Sequence, residues 1–155
     1  MTDVSKTTKA GTRELIAFRI GTQEFCIDIM SIREIRGWTP ATPLPKSPGF
    51  VRGVINLRGT VLPIVDLAVR LGFPPAEPTA RHAIMVSQIG QQVVGLLVEG
   101  VSDIFTVEES DIQPTPDVAS DMAKRFVRGV IAIDGRLISL IALNSVLPSI
   151  EMEAA

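Results

Sequence analysis

Phe50-Val51-Arg52-Gly53-Val54-Ile55 returns, letter for letter, as Phe126-Val127-Arg128-Gly129-Val130-Ile131. The correspondence continues through Gly59 and Gly135, Leu67 and Leu143, and Leu71 and Leu147. Laid ungapped, Phe50–Gly72 and Phe126–Pro148 share nine of twenty-three positions. Six identities in a row do not arise from composition, so the chain is one unit written twice. The positions where the copies differ are the first place to look for function.

Each hexapeptide opens a hairpin. Val54–Leu57 and Thr60–Val65 flank Arg58-Gly59, and Val130–Ile133 and Arg136–Ile141 flank Asp134-Gly135. A two-residue hairpin loop needs positive φ at both central residues, which Asp-Gly adopts readily. Pro63 has no N–H for a strand ladder, which predicts an edge or a bulge there. A helical turn closes each unit, with Asp66 as cap of Leu67–Leu71 and Asn144 as cap of Ser145–Leu147.

Upstream, Ile16, Phe18 and Ile20 alternate, Gly21 turns, and Phe25, Ile27 and Ile29 alternate again. The second copy has Ile84 and Val86, a turn at Gly90, then Val94, Leu96 and Val98. Both run on to a further apolar pair, Ile32/Ile35 and Val101/Ile104. Period-two alternation bounded by glycine predicts half-buried strands. Five strands per copy, closing on themselves, make an all-β fold of two small five-stranded barrels with a few short helical turns.

Composition agrees: 46% of the 155 residues are hydrophobic but only 5% aromatic, so the core is built of Val, Ile and Leu, which suit pleated surfaces. Pro-rich segments mark the joints. Residues 72–79 connect the copies, and residues 40–48 and 114–116 interrupt them. The expected organisation is a polar tail over 1–13, one domain over 14–148, and a tail over 149–155. The domain divides into a first barrel over about 14–72 and a second over about 80–148, with exchange of terminal segments between them left open. A barrel of about 70 residues is marginal alone, so the two should pack and share apolar surface, leaving a cleft between them.

Met1–Arg13 has no apolar region of signal-peptide type, and no stretch reaches the roughly 18 apolar residues of a membrane span. The single Cys26 excludes an internal disulfide and fits a reducing, cytoplasmic compartment. Catalytic constellations are missing. Cys26 lies between Glu24 and Asp28, whose charges oppose a thiolate, and reads as inert. His82, the sole histidine, reads as a surface or packing residue. One His and one Cys do not assemble a zinc site of the usual ligands, and neither a Walker loop nor G-x-G-x-x-G is present. The residues point to no enzyme, metal or cofactor.

Charge is distributed unevenly. Residues 33–70 hold six Lys or Arg against Glu34 and Asp66, while residues 99–121 hold seven acids and no Lys or Arg. One reading is ordinary solvated loops. The other is a basic and an acidic face on the two barrels, suited to head-to-tail contacts that close into rings. The basic side lacks interleaved aromatics, and the net charge of −2 fits nucleic acid poorly. Between copies Arg58 becomes Asp134, Pro63 becomes Ser139 and Asp66 becomes Ala142. Arg58 and Glu34 are a candidate ion pair, and an exposed pair stabilises so little that a contact role explains it better.

Residues 53–67, GVINLRGTVLPIVDL, closely resemble the hairpin of CheW-type chemotaxis coupling proteins. So do Phe25–Ile29 running into Ile32–Ile35, and Val93–Ile104. The resemblance covers about Glu14 to Leu147. It implies two SH3-like five-stranded barrels, no catalysis and no cofactor. It implies an adaptor that couples the histidine kinase CheA, through its regulatory domain, to the cytoplasmic tips of chemoreceptors. Such an adaptor is cytoplasmic and recruited to receptor arrays, monomeric alone and ring-forming with the kinase. Carried over residue by residue, the receptor site is a groove at Ile32, Glu34, Val98 and Ile104. The kinase contacts are Arg58 and a loop with Gln113, Asp117 and Val118; Val118 is aliphatic where the family can have an aromatic. Three other readings stay open: an adaptor of the same fold in a non-flagellar chemosensory pathway, a coupling module detached from a larger protein with a receiver or kinase domain, and a small-ligand-binding or enzymatic β-barrel.

Overall fold

The computed structural model describes residues 11–115 and 125–146. Within them the first copy contributes β1 (Thr12–Ile20), β2 (Gln23–Asp28), β3 (Ile32–Gly37), β4 (Val51–Leu57) and β5 (Thr60–Asp66). The second contributes β6 (Ala83–Ile89), β7 (Gln92–Val98), β8 (Gly100–Glu108), β9 (Ile112–Gln113), β10 (Val127–Ile133) and β11 (Arg136–Ile141). Single helical turns α1 (Leu67–Arg70) and α2 (Leu143–Val146) follow the hairpins, and 3-10 turns cover Ile29–Ser31 and Glu109–Asp111.

The sheets do not divide at the 72–79 connector. One has the order β3-β6-β7-β5-β4 and the other β8-β1-β2-β11-β10-β9. The first hairpin of each copy has changed places: β6–β7 complete barrel 1, built on β3, β4 and β5, while β1–β2 complete barrel 2, built on β8–β11. Strand order in the two is the same, third, first, second, fifth, fourth, with β9 as an extra edge on barrel 2. The exchanged hairpins are held by parallel pairing of β5 with β7 and of β11 with β2. Contiguous five-stranded units closing on themselves are thus replaced by an exchange inside one chain.

Exchange explains why the first hairpins are not half-buried as alternation alone suggests. Leu15–Phe18, Phe25–Ile27, Ile84–Ser87 and Val94–Val98 are buried at every position. One face of these strands fills a barrel and the other fills the seam between barrels. Ile55, Leu62, Ile64, Ile84, Val86 and Leu97 form the core of barrel 1, with Trp38 packed against it. Leu15, Cys26, Val107, Ile131, Ile138 and Leu140 form that of barrel 2. Between them a larger shared core joins Ile16, Phe18, Phe25, Ile27, Met85, Val94, Leu96, Val98 and Phe126.

Cys26 lies on the strand face opposite Phe25, and that face is interior too. It is fully buried, and desolvation pushes its thiol up to about 12. We expect no reaction of the folded chain with a thiolate-selective disulfide reagent at pH 8. Labelling should rise with denaturant in step with loss of structure.

The repeated hexapeptide has a structural reason. Its glycines sit under a crossing backbone. Thr42 bridges Val54, donating 2.8 Å to its carbonyl and accepting 2.9 Å from its N–H, and a Cβ on Gly53 would lie 2.2 Å from the Thr42 carbonyl oxygen. At the matching site β9 pairs with Val130, and a Cβ on Gly129 would lie 2.7 Å from the Gln113 oxygen. Its phenylalanines meet on one cation: the Arg70 guanidinium lies 4.6 Å from the Phe50 ring centre and 4.8 Å from that of Phe126. Arg70 Nε also donates to the carbonyl of Val146, its own counterpart in the repeat, at 2.6 Å. Arg70 thus stands where the two copies meet and ties them together.

Turn chemistry follows the sequence closely. Arg58-Gly59 has φ of 51° and 87°, and Asp134-Gly135 has 52° and 75°. Asp66 caps α1, accepting from Val69 N at 3.4 Å, and its other oxygen takes Arg52 Nε at 3.0 Å. Asn144 does not cap; it lies inside α2, and Ala142 stands at the turn's start, its carbonyl accepting from Ser145 N at 3.0 Å. Pro63 lies in β5, an inner strand of its sheet, but pairing with β7 begins only at Ile64, so β4 is its only registered neighbour there. His82 Nδ1 accepts the Thr79 N–H at 2.9 Å and fastens the end of the connector.

Candidate interaction site

Strands β3 and β8 are the outer strands beside the exchanged hairpins, and they carry matching β-bulges. Pairing of β3 with β6 shifts between Ile32 and Glu34, and pairing of β8 with β1 shifts between Ala17 and Phe18. A bulge inserts one residue and reverses the alternation beyond it. Arg33 and Ser102 occupy the inserted positions.

Residues opposite each other on antiparallel strands share a face. Ile32 is paired with Ser87 and Ile35 with Met85, while Val101 is paired with Phe18 and Ile104 with Ile16. Met85, Phe18 and Ile16 belong to the shared core, so all four aliphatic side chains are on the seam side of their sheets. Ile35 is 45% exposed and Ile104 52%. Met30, on the 3-10 turn that leads into β3, is 74% exposed. Ile32, Ile35, Val101 and Ile104 thus give each outer strand an apolar strip on its seam side.

Glu34 does not belong to that strip. It is paired with Val86, and Arg36 with Ile84, both in the core of barrel 1. The bulge turns Glu34 to the hairpin tip, where Arg58 Nη2 meets Oε1 at 2.7 Å and Arg36 Nη1 meets Oε2 at 3.2 Å. Hydrogen bonds from Arg58 and then Arg36 hold the Glu34 carboxyl below the ordinary carboxylate range. Arg58 remains largely exposed.

Barrel 2 repeats the device with other residues. Asp103, at the place of Glu34, meets Arg136 Nη2 at 3.0 Å. The same guanidinium grips Glu24 of β2 from Nε at 2.9 Å and Nη2 at 2.7 Å. Hydrogen bonds from Arg136 hold both carboxyls low, and that of Ser102 contributes at Glu24. A bulge acid bound by an arginine of the facing hairpin is thus common to both barrels, with the arginine at position 58 in one and 136 in the other.

The remaining carried-over residues fall elsewhere. Val98 is buried in the shared core and presents no side chain to a partner. Gln113 is exposed on β9 and lines a cleft of about 570 Å³ on the outer side of barrel 2, with Glu24, Val130, Arg136 and Leu137. Asp117 and Val118 lie outside the described residues. Of the residues carried over as a receptor set, Ile32 and Ile104 lie on the seam side of their strands, and Glu34 lies on the other face of β3 beside Arg58. Ile35 and Val101 share the seam side and were legible as apolar pairs in the sequence.

The acidic stretch is not a bare acidic face. Asp103 is paired with Arg136, Glu109 lies 3.8 Å from Arg13, Glu99 accepts from Gly21 N at 2.9 Å, and Asp111 accepts from Glu108 N at 2.8 Å. Among the described residues no group of three or more His, Cys, Asp or Glu stands where it could hold a metal ion, and no helix is long and apolar enough to cross a membrane.

Two exchanged β-barrels joined by an apolar seam, with apolar residues and charged clasps at their outer strands, define a binding scaffold. The model of the CheW-like domain matches residues 14–151. The chain is 63% identical over 155 residues to the chemotaxis protein CheW of Rhizobium meliloti, covering all of both chains. It is 35% identical over 140 residues to that of Klebsiella aerogenes, covering 90% of this chain and 84% of the other. The crystal structure of the scaffolding protein TtCheW from Thermoanaerobacter tengcongensis superposes with a TM-score of 0.80 at 27% identity, over 88% of this chain and 92% of that one. The chain belongs to the CheW-like family.

Proposed function

We propose that this protein is a non-enzymatic adaptor that couples chemoreceptors to a CheA-type histidine kinase in chemotaxis signalling, working in the cytoplasm at receptor arrays. The observation that carries the reading is the seam strip of Ile32, Ile35, Val101 and Ile104, set by twin bulges on two outer strands. A receptor tip is a helical hairpin, and an aliphatic strip between two barrels accepts its apolar ridge. The Glu34–Arg58 clasp, on the other face of β3, belongs to the kinase contact, where charge sets register and excludes wrong partners more than it adds affinity. Gln113 supplies a second kinase contact on barrel 2, and a kinase contact is proposed for Asp117 and Val118 as well.

The two faces are separable by mutation. Ile104→Asp should weaken binding of a two-helix receptor-tip fragment by about tenfold or more while sparing the kinase regulatory domain. Arg58→Glu should do the reverse. Equal loss of both partners in both variants would show that the faces are not distinct.

A further inference from the structure

We propose that Arg136 is a positioning residue for the receptor strip, holding β8 in its bulged form from the face of that strand turned to barrel 2 and away from the seam. This rests on the adaptor reading for its meaning but not for its first test. Asp103 stands between Val101 and Ile104, so whatever fixes Asp103 fixes the twist that presents those two side chains to the seam. Its only ion-pair partner among the described residues is Arg136, on β11. Arg136 in turn is anchored by two hydrogen bonds to Glu24, on the hairpin that the first copy lends to barrel 2.

Three strands that are not consecutive in the chain, β2, β8 and β11, are therefore tied at one guanidinium, at the side of the bulge. Arg136 also lines the outer cleft with Gln113 and Leu137. It is the residue through which the strip on one face and the cleft on the other share a support. A planar guanidinium suits this: it satisfies Glu24 with two parallel bonds and still reaches Asp103, which an ammonium cannot match.

The experiment measures amide exchange across β8 in the full chain, then binding of a two-helix receptor-tip fragment. In Arg136→Gln we expect exchange at residues 101–104 to quicken about tenfold while β6 and β7 keep their rates. Affinity for the fragment should fall about threefold to tenfold. Asp103→Asn, which cuts only the β8 arm, should reproduce both changes. Arg136→Lys should restore part of the binding, and Leu137→Asp, in the same cleft but outside the clasp, should leave β8 exchange unchanged. Unaltered β8 exchange in both Arg136→Gln and Asp103→Asn would overturn the proposal whether or not the fragment binds. Failure of the wild type to bind the fragment, with β8 loosened as expected, would instead count against the adaptor reading.

Discussion

Gly53→Ala should cost about 3 kcal/mol or more of stability, lowering the melting temperature by about 6–12 °C in a chain of this size. Two costs add at this position. Its φ of 141° is outside the range that L side chains favour, and the new Cβ would stand 2.2 Å from the Thr42 carbonyl oxygen and 2.6 Å from its carbon. Those atoms are backbone and are held by the two-way bridge between Thr42 and Val54, so they do not move away as a flexible side chain would. Relief requires the 40–48 segment to lift off β4, exposing the part of the barrel 1 core under Trp38 and Ala41. Gly129→Ala makes a useful companion. Its Cβ would meet the Gln113 oxygen and an Ile112 methyl at 2.7 Å, but its φ is not in the positive range, so the loss should be smaller, about 1–2 kcal/mol. Thermal melts of both variants check the order. A Gly53→Ala protein as stable as wild type would mean that the crossing at Thr42 is wrong.

Glu34→Lys should abolish or greatly weaken kinase binding, by about tenfold or more, with little change in stability. The substitution places a third cation between Arg36 and Arg58, which now lie 3.2 and 2.7 Å from the carboxylate oxygens. Arg58 is largely exposed, so the fold tolerates the repulsion by letting it swing outward. A partner that needs Arg58 fixed does not tolerate it. Calorimetric titration against the isolated regulatory domain of a CheA-type kinase, beside a thermal melt, separates the two effects. A melting point lower by ten degrees would move Glu34 from contact residue to structural one. The sign of the pH dependence follows from the lowered carboxyl of Glu34. Its clasp is intact above the ordinary carboxylate value and is lost as pH falls through the depressed one, so Glu34→Gln should remove that acid limb of binding.

What the sequence could show was local. Arg58-Gly59 and Asp134-Gly135 were legible as hairpin tips because two adjacent residues fix that geometry. Asp66 was legible as a cap for the same reason. The exchange of first hairpins was not, because β6 is equally able, from its own pattern, to pair with β3 or with β8. The choice is made by the shared core, where Phe18, Phe25, Val94 and Leu96 come together from distant parts of the chain. Burial of both faces of β1, β2, β6 and β7 follows from that exchange and hides the polar alternation a half-buried strand shows. At the site the sequence offered Glu34 and Arg58 as an ion pair, and the structure joins them at 2.7 Å. What the sequence could not show is the bulge at Arg33, which puts Ile32 and Glu34, two apart in the chain, on opposite faces of β3. Resemblance brought both into the receptor set, and the register with Val86 gives Glu34 a face of its own.

The repetition of the bulge acid also changes how Glu34 is understood. Glu34 and Asp103 occupy matching places, and each is bound by an arginine from the facing hairpin. The clasp is thus a feature of this fold before it is a feature of one interface. What distinguishes barrel 1 is where the arginine stands, at the exposed hairpin tip, where a partner can reach it.

Whether the protein joins receptor to kinase is decided by recovery of partners from the native cytoplasm on tagged wild-type protein, beside Arg58→Glu and Ile104→Asp. Wild type should bring down a CheA-type kinase and receptor fragments, the first variant should lose the kinase and the second should lose the receptor. Recovery of neither partner by wild type would contradict the adaptor reading.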